Sequence, residues 1–180
     1  MKFLILFFLF PLLVIPMAFS GPSLSGIELY SSQKFSWDLE KAKKGTVLFF
    51  LSSSCPCSNS HLPHLEDLKK EFSQFSFIGV HSHRSATKEK TQQYFGKKKL
   101  SFPILFDSNL KIANLYKAVK TPHVFILGKK GEILFHGGIT NSVSFKAAKK
   151  FYLKNALLDI QKGKRPQKSF ARALGCYISR

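Results

Sequence analysis

Apolar and polar positions follow distinct periods along this 180-residue chain, and each period predicts an element. Val47–Leu51 (VLFFL) is a short continuous apolar run, which predicts a buried strand. Leu62, Leu65, Leu68 and Phe72 then recur every three or four residues, predicting a helix with one apolar face that begins at Cys55 and ends near Phe72. Phe75–His81 (FSFIGVH) reads as the next strand, and its connection through that helix predicts a right-handed parallel βαβ unit. Thr87–Phe95 predicts a helix capped by Ser85 or Thr87, and Pro103–Phe106 a short strand. Asp107 or Ser108 is expected to cap a helix reaching about Lys117. Val119–Leu127 and Glu132–His136, joined by a turn at Gly128–Gly131, predict a hairpin. Ser144–Ile160 predicts a final amphipathic helix with Phe145, Ala148, Tyr152, Ala156 and Ile160 on one face, ended by Gly163. Ahead of all these, Gly21–Gln33 is expected to be an extended lead-in, and Phe35–Lys44 a short helical stretch in which Trp37 packs.

The first twenty residues have a different character. Lys2, the apolar Phe3–Ile15 and the small residues of Ala18-Phe19-Ser20 predict a secretory signal peptide cleaved after Ser20. An uncleaved membrane anchor is the competing reading, but the apolar run is short and interrupted by Pro11 and Pro16. The expected organisation is a signal peptide (1–20), an extended lead-in (21–34), one α/β domain (35–161) and a basic tail (162–180) carrying Cys176. The expected location is secreted or periplasmic. Net charge is +18, or +17 once Lys2 is removed. The lysines are scattered in short clusters without a nucleic-acid-binding motif, so no nucleic-acid partner is expected; non-specific association with an anionic membrane surface is. Export lets disulfides persist, and three cysteines allow one bridge: Cys55–Cys57, Cys55–Cys176 or Cys57–Cys176. The spacing does not choose among them.

Cys55 falls where a strand hands over to a helix N-terminus, and unpaired N–H groups with the helix dipole stabilise a thiolate there. Cys55, Pro56, Pro63 and Leu65 resemble the pattern C-P-x-C-x-x-x-x-P-x-L of thioredoxin-like redoxins. Those proteins are grouped with the alkyl hydroperoxide reductase/thiol-specific antioxidant (peroxiredoxin-like) family. The resemblance implies a thioredoxin-like fold, a central mixed β-sheet flanked by helices, with a C-terminal helix and tail. It also implies a tolerated helix kink at Pro63, and a cis peptide bond at Thr121-Pro122 whose exposed backbone receives a substrate strand. The closing Gly175-Cys176-Tyr177-Ile178-Ser179-Arg180 is similar to the end of some redoxin-domain proteins. The chain departs from the family at Ser58, where the second cysteine is expected, and at Ser54, where many thioredoxins have tryptophan.

The leading reading is an exported thiol-disulfide oxidoreductase. Cys55 attacks an oxidised sulfur, and Cys176, or else Cys57 or an external thiol, resolves the intermediate. Thr121 and Pro122 are the expected substrate-binding residues, and no cofactor is implied. A disulfide-containing protein or a peroxide is the expected substrate, with an external thiol as reductant. A peroxidase alternative rests on Ser52-Ser53-Ser54-Cys55, which fits the peroxiredoxin pattern [ST]-x-x-C and gives Ser52 the peroxide-orienting role. Another alternative is a Cu(I) or Zn site from Cys55, Cys57, His61 and His64, supplemented by His81, His83 or His123. The last is a non-enzymatic binding module with structural cysteines.

Overall fold

The computed structural model describes residues 23–180, so the expected signal peptide lies outside the described residues. In chain order the elements are β1 (Ser23–Glu28), β2 (Lys34–Asp38), β3 (Gly45–Leu51), α1 (Pro56–Glu71), β4 (Phe75–Ser82), α2 (Lys88–Gly96) and β5 (Ile104–Asp107). There follow α3 (Lys111–Leu115), β6 (Lys120–Thr121), β7 (His123–Leu127), β8 (Ile133–Gly137), α4 (Tyr152–Gln161), β9 (Phe170–Ala171) and β10 (Cys176–Tyr177). Within residues 23–180 an eight-stranded sheet runs β2-β1-β5-β4-β3-β7-β8-β9, and β10 pairs with β6 in a separate ribbon. β3, β4 and β5 are parallel, while β7 runs antiparallel to β3, so the sheet is mixed as expected.

Every residue of β3 is buried, because this strand lies between two apolar layers. Val47, Phe49 and Leu51 face one layer with Leu62, Leu65 and Leu68 of α1 and Leu153, Ala156 and Leu157 of α4. Leu48 and Phe50 face the other with Ile112 and Ala113 of α3, Phe125 of β7 and, from the tail, Ile178. A strand covered on both sides needs a continuous apolar run, whereas each helix needs only a stripe; the two hydrophobic periods reflect that difference. None of the helices among the described residues is long and apolar enough to cross a membrane.

Two expectations are corrected and two are refined. The lead-in is extended, but Ser23–Glu28 is a strand of the sheet itself, paired with both β2 and β5. The helical stretch expected at Phe35–Lys44 is instead β2 followed by a single 3-10 turn at Leu39–Lys41. Phe35 and Trp37 alternate with polar residues and pack on the sheet, and Trp37 Nε1 donates to Thr46 Oγ1 at 3.0 Å. The last helix begins only at Tyr152; Ser144–Phe151 is irregular apart from a 3-10 turn at Phe145–Ala147. Here the rings of Phe145 and Phe151 lie 4.4 and 5.8 Å from that of His64, and Asn141 Oδ1 accepts from the N–H groups of Lys149 and Lys150. Those tertiary contacts outweigh helical periodicity. Finally, the basic tail is folded: β9 adds to β8, and β10 returns to β6.

Asp107 does cap α3, although not from the N-cap position, which Leu110 occupies with φ 59°. Its buried carboxylate accepts from Ile112 N–H (3.1 Å), Ala113 N–H (3.0 Å) and Ser82 Oγ (2.7 Å). The hydrogen bonds tie β4, β5 and α3 into one unit beneath the tail. Asp107→Ala strands three buried donors, so it is expected to lower the unfolding free energy by about 3 kcal/mol, measured by urea denaturation.

Candidate functional site

The site is assembled where α1 begins. Cys55 is the N-cap of α1, Pro56 occupies its first turn, and Ser58 N–H donates to Cys55 Sγ at 3.4 Å. Proline fits there because the first-turn N–H has no helical partner to lose. The preceding serine loop is held from several directions. Cys55 N–H donates to Ser52 O (3.3 Å), Ser52 N–H donates to Ser58 Oγ (3.1 Å), and Asn59 Nδ2 donates to Ser53 O (3.1 Å). Ser58, which stands where the family pattern has its second cysteine, is buried and structural.

Across from the helix, the Thr121-Pro122 peptide is cis, and Thr121 O lies 3.1 Å from Cys55 Sγ. The chain's own tail fills the remaining side. Cys176 pairs with Thr121 and Tyr177 with Lys120 in an antiparallel ribbon. Cys55 and Cys176 form a disulfide with a Cα–Cα distance of 6.0 Å, across 121 positions of sequence. Cys57 is a free, half-buried thiol, and the three sulfur atoms lie within 4.8 Å of one another. Of the three pairings open in the sequence, the structure has Cys55–Cys176.

Gly175, Cys176, Ile178 and Arg180 of the closing motif each have a separate task. Gly175 has φ +148°, and a Cβ there would overlap Thr121 O, so only glycine lets the tail approach this closely. Cys176 makes the bridge. Ile178 is buried in the second apolar layer, and its N–H donates to Val119 O at 3.0 Å. Arg180 donates to Ala118 O at 2.6 Å and to Asn114 Oδ1. Arg84 N–H donates to Ser179 O, so β4's exit loop also grips the tail. The roles of Ile178, Arg180 and Arg84 were not visible in the sequence, where the closing motif stood only as a resemblance.

The histidines are placed differently from the expected ligand set. His61 Nδ1 is paired with Cys57 O (2.8 Å) and Nε2 with Thr140 Oγ1 (2.9 Å), while His64 stacks on Phe145. Neither joins the sulfur cluster, so the four-residue Cys55, Cys57, His61, His64 arrangement is not formed. His81 is fully buried, with Nε2 3.2 Å from Ser53 Oγ, and it stacks on His83. His123 is buried beside Phe125 and His136, with both ring nitrogens unpartnered. Burial, reinforced by a neighbouring imidazole (His83 for His81, His136 for His123), lowers each of these two rings to about 4. Ser52 is buried beneath the loop, and its hydroxyl lies 3.0 Å from that of Ser54.

A family model described as thioredoxin-like matches residues 43–133. The chain belongs to the thioredoxin-like family. Among its relatives, the thiol-disulfide oxidoreductase ResA of Halalkalibacterium halodurans is 26% identical over 102 residues, 56% of this chain and 58% of that protein. The thiol-disulfide oxidoreductase ResA of Oceanobacillus iheyensis is 26% identical over 99 residues, 54% of this chain and 52% of that one. This thioredoxin-like chain therefore spans little more than half the length of either relative. An uncharacterized conserved protein from Geobacillus kaustophilus shares the fold at a TM-score of 0.79 and 18% identity, with 89% of this chain and 90% of that one covered.

Two outcomes follow from this geometry. An imidazole held at about 4 in the folded protein and near 6.5 when unfolded takes up a proton on unfolding at pH 5. The stability that His81 and His123 contribute is thus complete above pH 6.5 and lost as pH falls toward 4, by at most about 1.4 kcal/mol per pH unit for each ring. Urea midpoints across that range should fall accordingly, and His123→Leu should lessen the fall. Gly175→Ala pushes the tail from Thr121, so the Cys55–Cys176 bridge should form at least about tenfold less favourably against a dithiol buffer, read by alkylation and mass spectrometry.

Proposed function

We propose that this protein is an exported thiol-disulfide oxidoreductase whose working pair is Cys55 and Cys176. The observation that carries the reading is the bridge between a helix-capping cysteine and a tail cysteine, beside a cis-proline corner. In the reduced protein, the Cys55 thiolate attacks one sulfur of a substrate disulfide and expels the other as a thiolate. Cys176 then attacks Cys55 Sγ in the mixed disulfide, releasing the second substrate thiol and closing the Cys55–Cys176 bridge. Two electrons pass to the substrate, and an external thiol pair returns them by the reverse exchange. Ser58 N–H and the start of α1 stabilise the Cys55 thiolate whenever it is the leaving group.

Cys55 is only 1% exposed while the bridge is closed, and Cys176 is the residue over it with partial exposure. Attack on the oxidised form is therefore directed to Cys176, and rotation of its freed side chain after reduction opens the path to Cys55. The edge of Thr121 that would receive a substrate strand is already paired with Cys176. A disulfide-containing protein substrate accordingly presents its sulfurs to this corner from outside the ribbon. Relatives named thiol-disulfide oxidoreductases support the reaction class, and the apolar, Lys2-led first twenty residues support export. The peroxidase reading has less support, because the Ser52 hydroxyl is engaged with Ser54 rather than with the sulfurs.

Differential alkylation with and without an oxidised peptide tests this. Reduced protein should lose labelling at Cys55 and Cys176 together as the peptide is reduced. Cys55→Ser should abolish peptide reduction, and Cys176→Ser should stop with the peptide attached to Cys55. Turnover by Cys176→Ser at the rate of the unaltered chain, or a Cys55 that resists alkylation at neutral pH after reduction, overturns the assignment.

A further inference from the structure

The geometry points to a second use of the same corner: once reduced, it is a three-thiolate site for a single Cu(I) ion, held by Cys55, Cys57 and Cys176. The three sulfurs already lie within 4.8 Å of one another. A metal about 2.3 Å from three sulfurs, and in their plane, sets them about 4.0 Å apart, so small side-chain rotations close the site. The inference needs the bridge to be reducible but does not depend on turnover with a substrate.

Three features favour binding. First, the cluster survives loss of the disulfide, because the tail is held independently by buried Ile178, by its hydrogen bond to Val119, and by Arg180 on Ala118. Cys176 therefore remains beside Cys55 after reduction. Second, the donor set is purely sulfur, which selects soft cations. His61 has both nitrogens engaged, His64 is stacked on Phe145, and no carboxylate among the described residues joins the cluster. Three thiolates complete the preferred shell of Cu(I) but leave tetrahedral zinc one protein ligand short. Third, a Cu(I) ion on three thiolates carries net negative charge. It would sit at the N-terminus of the sixteen-residue α1, whose first-turn amides and dipole favour an anion, in a strongly basic chain.

Loading is gated by the bridge. Two electrons and two protons from an external thiol reductant open Cys55–Cys176 to two thiols. Cu(I) then displaces the thiol protons, without any change in the metal's own oxidation state. An external disulfide that takes up two electrons, and leaves as two thiolates, reoxidises Cys55 and Cys176 to their bridge; this removes two of three ligands and releases the ion, so the corner holds copper only in its reduced form.

The test is anaerobic titration of phosphine-reduced, desalted protein with Cu(I) in competition with bicinchoninate. One Cu(I) per chain is expected, with thiolate-to-copper absorption in the near ultraviolet; the bridged protein should take none. Each variant loses one of three ligands, so Cys57→Ser and Cys176→Ser should each weaken binding by about a hundredfold or more. Far-ultraviolet circular dichroism confirms that both variants are folded. Failure of the reduced protein to compete with bicinchoninate, copper binding unaltered in Cys57→Ser, or tighter retention of Zn(II) than of Cu(I) would each overturn the site. Peptide reduction assayed without copper separates the two readings: copper binding without exchange removes only the oxidoreductase, and exchange without copper binding removes only this site.

Discussion

Between Ala118 and Pro122 the backbone turns one edge outward, and the last six residues of the chain are bound along it. Glycine at 175 permits the approach, Ile178 supplies buried apolar area, and Arg180 donates to the Ala118 carbonyl. Burying an isoleucine side chain contributes about 1.5–3 kcal/mol, and a charge-assisted hydrogen bond adds to it. That docking brings a sulfur from the end of the chain to the start of α1. Without it Cys55 would face solvent and Cys176 would be one thiol on a loose basic segment. The chemistry at the corner therefore depends on ordinary packing around it, including the Asp107 carboxylate that holds α3 beneath Arg180.

The electrostatics of the corner are arranged around sulfur. The two most perturbed titratable rings, His81 and His123, are neutral at physiological pH because burial disfavours their charged forms. They lie on β4 and β7, opposite Leu51 and Phe50 of β3, and being neutral bring no positive charge to the end of that strand at neutral pH. What stabilises a thiolate at Cys55 is then the helix start and the Ser58 amide. The serines of the preceding loop are committed to holding that loop in shape, which explains why so many can stand beside the cysteine without being part of its chemistry.

Much of this was legible in the residue pattern. The continuous run of β3, the stripe of α1, the strand β4 and the cis-proline corner were each expected at close to their observed bounds. These elements declare themselves because burial imposes a period on the sequence, or because the Cys-Pro and Thr-Pro pairs mark a resemblance. The misread elements share a cause. Phe35 and Trp37 alternate over too few positions to distinguish a strand from a helix, and their register depends on β1, itself short of apolar residues. Phe145 fits the helical stripe of α4 by spacing, yet its ring is drawn to His64, eighty-one residues earlier on α1. A local period cannot register a competing contact from so far along the chain.

By itself, the sequence determined the thioredoxin-like layering, the placement of Cys55 at a helix start, and the identities of the three thiols able to take part. Those follow from short-range rules: hydrophobic period, capping chemistry and motif spacing. Which two thiols pair, which histidines stand away from the sulfurs, and what occupies the Thr121 edge were decided only by the tertiary structure. Each is a matter of distance between residues as many as 121 positions apart. Such distances are set by how the apolar layers close, and three-dimensional packing leaves no one-dimensional period from which they could be read.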